Sequence, residues 1–246
     1  MNRTAQAIVL FLVGVAMLHA TFTDLYLRYL KAGLRPLLLV AGCVLIGAAI
    51  ATAWYDWRGP RSIQENQTGC ADHGRHRQAH REPRISWLLL LPLLALILVA
   101  PPAVGSYSAT HTGTALQPPW WGFATLPASN PLQLSVVDYA GRAVYDHGRS
   151  LGDRQVTVTG FIAFDQGGEP YLTRMVLNCC AADAQPVKIG LSGQIPPVLQ
   201  PDIWLEVTGT YSSKQTKDPV NDGPIPFIEI SQATAIPAPD DQYESW

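Results

Sequence analysis

Gln155-Val156-Thr157-Val158-Thr159-Gly160-Phe161-Ile162 decides the fold of the C-terminal half. Val156, Val158, Gly160 and Ile162 alternate with Gln155, Thr157, Thr159 and Phe161, a period of two that predicts a half-buried strand. Gln166-Gly167-Gly168-Glu169 supplies a turn, and Pro170–Asn178 returns as the second strand of a hairpin. Val187–Leu191, Ile203–Tyr211 and Ile225–Ile236 follow, separated by Gly/Pro-rich segments at Ser192–Pro201 and Ser212–Pro224. Five strands in about eighty residues predict an OB-like β-barrel. An immunoglobulin-like sandwich, which wants about seven strands, ranks second. Before the first strand, Leu134, Val137, Tyr139 and Val144 suggest a short helix over roughly Leu132–Asp146. The Thr/Ser/Pro-rich stretch 106–131 reads as a linker whose Trp120 and Trp121 could rest on lipid headgroups.

The N-terminal half has a different character. At 48% hydrophobic and 15% charged, the chain is too apolar for disorder and too uncharged for an average cytosolic enzyme. Residues 1–105 carry ten Lys/Arg against five Asp/Glu (+5), and residues 106–246 carry seven against fourteen (−7), which together make the net −2. Such asymmetry places the two halves in different surroundings, and an acidic C-terminal half is a poor partner for nucleic acid.

Three apolar runs, at roughly Ala5–Phe22, Pro36–Tyr55 and Ile85–Val104, each have about the length a bilayer requires. The expected fold class is therefore membrane α plus all-β: about three N-terminal transmembrane helices followed by the five-stranded barrel. The first run could instead be a secretory signal, although cleavage after Ala20 would leave bulky Leu18 where a small residue is wanted. Between the second and third runs, the loop 56–84 holds Arg58, Arg61, Arg75, Arg77, Arg81 and Arg84, so it is expected in the cytoplasm. The organisation follows as a transmembrane region over 1–105, a linker over 106–131 and an OB-like domain over 132–246. The protein is expected to be a multi-pass cell-membrane protein with its C-terminal domain outside. The short first loop, with Arg28, Lys31 and Arg35, pulls against this orientation because it is basic too.

Cys179-Cys180-Ala181-Ala182-Asp183 carries the main chemical candidate, at the end of the second barrel strand. Neighbouring strand residues face opposite ways, so both sulfurs reach one ligand only where the chain bends. Ala181 and Ala182 are small enough for such a bend, which would bring Asp183 back toward the thiols. Cys179, Cys180 and Asp183, completed by water or His, then make a plausible zinc set. Redox chemistry of the vicinal pair and plain burial of the cysteines are the alternatives. A second, weaker metal candidate is Cys70 with His73, His76 and His80, whose imidazoles would share one face if the loop were helical. The alternative for that loop is a solvated polar segment. Cys43 reads as a packing residue, and His19, His111 and His147 carry no assignment.

No catalytic residues stand out: there is no Gly-x-Ser-x-Gly elbow, phosphate loop, dinucleotide fingerprint or His-Glu-x-x-His, and a non-enzyme is expected. The chain resembles the bacterial YcgQ-type membrane proteins, regarded as the small subunit of a two-component permease. The resemblance rests on Tyr171-Leu172-Thr173-Arg174 leading into Cys179-Cys180-Ala181-Ala182-Asp183-Ala184-Gln185-Pro186-Val187, then Trp204 to Thr210, then Pro237-Ala238-Pro239 with Tyr243-Glu244. It also takes in Gly160-Phe161 and Ala100-Pro101-Pro102, so it covers most of the chain. It implies a larger multi-spanning permease subunit as partner in the same bilayer, and association with zinc-limitation genes. Cys179, Cys180 and Asp183 match its signature, as does Arg174, expected as an ion-pairing or structural residue. The overall expectation is an accessory permease subunit presenting a thiol metal site. A membrane-anchored thiol redox protein and a non-catalytic docking module are the alternatives.

Overall fold

The computed structural model describes residues 3–58, 103–120 and 122–245, in two compact units. One holds helices α1 (Arg3–Phe22) and α2 (Arg35–Arg58). The other holds residues 24–33 and everything described from Ala103 onward.

In the helical unit, α1 and α2 pack where each contributes a glycine. A Cβ at Gly14 would lie 2.8 Å from Ile46 Cγ1 and 3.0 Å from the Gly42 carbonyl oxygen, and one at Gly42 would lie 2.8 Å from Leu18. Small residues at a crossing let backbones approach closely, which gives packing energy even where no hydrophobic effect operates. The outer faces are apolar and open: Phe11, Val15, Leu37, Val40, Val44 and Ile50 are all exposed. Trp54, Tyr55 and Trp57 cluster near the end of α2, where Arg58 sits 4.1 Å over the Trp54 ring. Such amphipathic aromatics suit a membrane–water boundary.

The expectation of about three transmembrane helices is not supported. Among the described residues one helix, Ala32–Arg58, is long and apolar enough to cross a bilayer; a signal sequence passes the same test. The apolar helix Gln6–Phe22, within α1, is shorter. The third run and the loop 59–84 lie outside the described residues, apart from Ala103 and Val104.

The other unit is built on strands β1 (Leu132–Gln133), β2 (Val156–Phe164), β3 (Pro170–Val176), β4 (Gln185–Gly193), β5 (Trp204–Lys217), β6 (Pro224–Ile236) and β7 (Tyr243–Glu244). Their order is β1-β2-β5-β6-β4-β3-β7, and β2 also pairs with β3, so β2 to β6 form a closed five-stranded barrel. All of its pairings are antiparallel except β4 with β6. Val156, Val158, Ile162, Leu172, Val176, Val187, Ile189, Leu205, Val207, Ile228 and Ile230 fill the interior. Gly160 shares that inward face because β3 runs too close for a side chain: a Cβ there would lie 2.7 Å from the Thr173 carbonyl oxygen.

Before the barrel come helices α3 (Ser106–His111) and α4 (Val136–Tyr145). The Ser135 hydroxyl caps α4 by accepting the Asp138 amide, and Val136, Tyr139, Ala140 and Ala143 put its apolar face into the core. Tyr139 donates to the Phe227 carbonyl at 2.8 Å, and burial pushes its phenol pKa up. The helix is shorter than expected because Leu132 and Gln133 pair with β2 instead. The fourth barrel strand is longer: β5 continues past Tyr211 to Lys217, so the expected loop Ser212–Pro224 shrinks to a turn. Ser213, Lys214 and Gln215 hid this extension because they stand exposed on a hairpin arm with no apolar alternation. In the stretch 106–131, Ala109 and Leu116 are buried. Thr114 donates its amide to Asp218 there, so these residues pack on the barrel.

Candidate metal centre

The connection between β3 and β4 makes the centre. Strand β3 ends at Val176, and the Leu177 amide donates to the Glu244 carbonyl of β7 at 2.9 Å, which anchors the loop at its start. Ala181–Asp183 then form one 3-10 turn. That bend folds Asp183 back over the preceding residues. Its Oδ1 accepts the Asn178 amide at 2.9 Å, and its Oδ2 accepts the amides of Cys179 at 2.9 Å and Cys180 at 3.4 Å. Ligand atoms of Cys179, Cys180 and Asp183 lie within 4.8 Å of one another and could hold a metal ion. Cys179 is exposed and Cys180 half-buried, so the group opens to solvent.

The electrostatics follow from this geometry. The Cys179 thiol hydrogen-bonds to Asp183, and that bond, with contact to Cys180, pushes its pKa up to about 11. Conversely, the Cys179 thiol and amide hold the Asp183 carboxyl below the usual carboxylate range. At neutral pH the loop therefore presents a carboxylate beside a protonated thiol. A thiol held in that form is a poor nucleophile until a cation displaces its proton. Tetrahedral zinc, with Zn–S near 2.3 Å, sets its sulfurs about 3.8 Å apart, inside the 4.8 Å that spans the three ligand atoms here. Three protein donors leave the fourth position to water or an incoming ligand.

Arg174 lies 3.7 Å from Glu244, donates to the Asp241 carbonyl at 2.8 Å and stacks 4.8 Å over the Trp204 ring. Glu244 accepts the Val136 and Val137 amides at the start of α4. Burial lowers the Arg174 pKa and raises that of Glu244 against their mutual attraction. Both shifts agree that desolvation outweighs so long an ion pair. Arg174 is thus a structural residue, linking β3 to β7. His111 Nδ1 donates to the Tyr107 carbonyl at 2.8 Å, and His147 sits at a positive φ of 52°; neither is part of the thiol group. Cys43 is an exposed residue of α2, not a packed one. Cys70, His73, His76 and His80 lie outside the described residues.

Two participants were not read from the sequence. Residues 24–33, taken only as a short basic loop, contact the cysteine loop, and Tyr243 and Glu244, noted only within the resemblance, brace it. Buried Tyr26 and Leu27 in so short a loop were the available signal. No curated protein and no solved structure matches the chain. Residues 127–244, from just before β1 through β7, match the family model described as the DUF1980 C-terminal domain, an uncharacterised family.

Proposed function

We propose that this protein is a non-enzymatic accessory subunit of a membrane permease, of the YcgQ type, and that its barrel presents Cys179, Cys180 and Asp183 as a zinc-type site outside the membrane. The observation that carries the reading is the clustering of these three ligand atoms within 4.8 Å on an exposed loop. The carboxylate of that loop is pre-positioned by three consecutive amides. Soft thiolates with one carboxylate favour zinc over magnesium or calcium. The Greek-key order of the five strands supports an OB-type barrel, a fold that presents ligands from its loops. The raised Cys179 pKa weighs against thiol redox exchange.

The Tyr243 hydroxyl donates to the Arg28 carbonyl at 2.9 Å and accepts the Val104 amide at 2.9 Å. The loop after α1 and the chain entering the barrel therefore meet at one atom, so the proposed orientation puts residues 24–33 outside together with the barrel.

Zinc titration of the detergent-purified full chain, beside its Cys179→Ser/Cys180→Ser variant, tests the reading. About one zinc per chain in the wild type and none in the variant is expected; equal binding by both would contradict it. Labelling of residue 246 from outside intact cells tests the orientation.

A further inference from the structure

The loop between the two N-terminal helices reaches into the metal centre. Tyr26 and Leu27 are buried, at 5% and 9% exposure, in the barrel unit. The loop is internally tied as well: the amides of Tyr29 and Leu30 both donate to the Tyr26 carbonyl at 2.9 Å. Leu30 then faces Cys180 in an antiparallel bridge. On one side of that bridge the Ala181 amide donates to the Tyr29 carbonyl at 2.7 Å, and on the other the Lys31 amide donates to the Cys179 carbonyl at 3.3 Å. The contacts therefore bracket the two cysteines. They hold Cys180 extended, at φ −151° and ψ 167°, ahead of the 3-10 turn that returns Asp183.

We infer that residues 29–31 are positioning residues of the metal centre: the helix-connecting loop is its second wall and sets the spacing of the two thiols. This inference rests on the metal-binding reading of Cys179, Cys180 and Asp183. A site held from one side only would let Cys179–Ala181 relax, since no other backbone bond recorded for the Cys179 carbonyl or the Ala181 amide fixes them among the described residues. Coupling of this kind is reciprocal, so a metal that prefers the bracketed loop must equally favour the docked state of residues 24–33. Because that segment joins α1 to α2, loading of the centre reaches the polypeptide connecting the helices. A permease subunit could use this to report its occupancy.

Hydrogen–deuterium exchange on the full chain in detergent, with and without zinc, tests the inference directly. Zinc is expected to slow exchange in peptides covering 24–33 as well as 178–184. Lys31→Pro, which deletes the amide donor to Cys179, is expected to weaken zinc binding about tenfold or more, as loss of an outer partner does. Tyr243→Phe, which deletes the hydroxyl ties to Arg28 and Val104 but leaves the backbone bonds to Cys179 and Ala181, is expected to weaken it less. Both variants should keep the barrel's melting transition. Unchanged zinc affinity in both variants, with no zinc-dependent slowing in 24–33, would overturn the inference while leaving the site intact. Absence of zinc binding by the wild type would overturn the site and this inference together. Should Lys31→Pro fail to fold, the wild-type exchange pattern alone decides.

Discussion

Asp218, which opens the turn between β5 and β6, and Asp183, which ends the 3-10 turn before β4, both gather backbone amides, yet their surroundings differ. Asp218 is fully buried: it accepts the amides of Thr114 and Val220, each at 2.9 Å, and its charge is met by Lys188 Nζ at 2.7 Å. Lys188 also donates to the Thr112 carbonyl at 3.0 Å, so charge and hydrogen bonds close on themselves. Asp183 gathers three amides on an open loop, but its remaining partner is the neutral Cys179 thiol. Among the described residues no cation pairs with it. The same local motif is a staple when a lysine completes it, and in the proposed reading a cation site when thiols do.

The largest effect expected from this comparison is on stability. Asp218→Ala leaves Lys188 buried and unpaired, which costs about 3–5 kcal/mol for a buried pair with one partner removed. Chemical denaturation followed by tryptophan fluorescence reads it, and a loss below about 1 kcal/mol, the value of an exposed pair, would break the contrast. Asp183→Asn should do the reverse. We expect the barrel to melt as the wild type does while zinc affinity falls about a hundredfold or more, beyond the loss of an outer partner. A stability defect with retained zinc affinity would make Asp183 a second staple.

The fold was legible where side chains alternate against one core, and obscure where structure depends on distant partners. Val156, Val158, Ile162, Leu205 and Val207 all sit inside the barrel, as a period of two demands. The Ala181-Ala182 bend was legible too, because small residues between donors permit it. The length of β5 was not, since an exposed arm carries no apolar pattern. The role of residues 24–33 was hidden because Tyr29 and Lys31 contribute backbone atoms, which any residue supplies. Lys188 and Asp218, thirty residues apart, carry no local signal of pairing. The third apolar run and the histidine loop lie outside the described residues and add nothing to this comparison.

Titration sharpens the contrast further. The Cys179 thiol, held up to about 11 by Asp183, should be alkylated slowly at neutral pH, with its rate rising through that region. Asp183→Asn should move the transition down toward the ordinary thiol range. In the proposed reading zinc binds by displacing this proton, so its affinity should rise with pH by about tenfold per unit for each proton displaced and fall on acidification. A zinc affinity flat between mildly acid and mildly alkaline pH would speak against thiolate coordination.

The smallest effect concerns Glu244, which stands between the two aspartates in character: half-buried and bonded to two amides, but 3.7 Å from its cation. Its pKa is raised in the folded state, chiefly by burial. The folded protein therefore holds this proton more tightly than the unfolded chain. The resulting stability is complete below the ordinary glutamate range and is lost as pH rises through the raised value. Glu244→Gln should flatten that part of the melting-temperature profile; an unchanged profile would assign the slope elsewhere.

Cobalt substitution of the full chain tests the central claim most directly, because a thiolate bonded to Co(II) gives a charge-transfer absorption that scales with the number of sulfurs. The account predicts a near-ultraviolet band saturating at about one cobalt per chain. That band should fall by about half in either Cys179→Ser or Cys180→Ser and vanish in the double variant. No such band in the wild type, or one that survives loss of both cysteines, would contradict it.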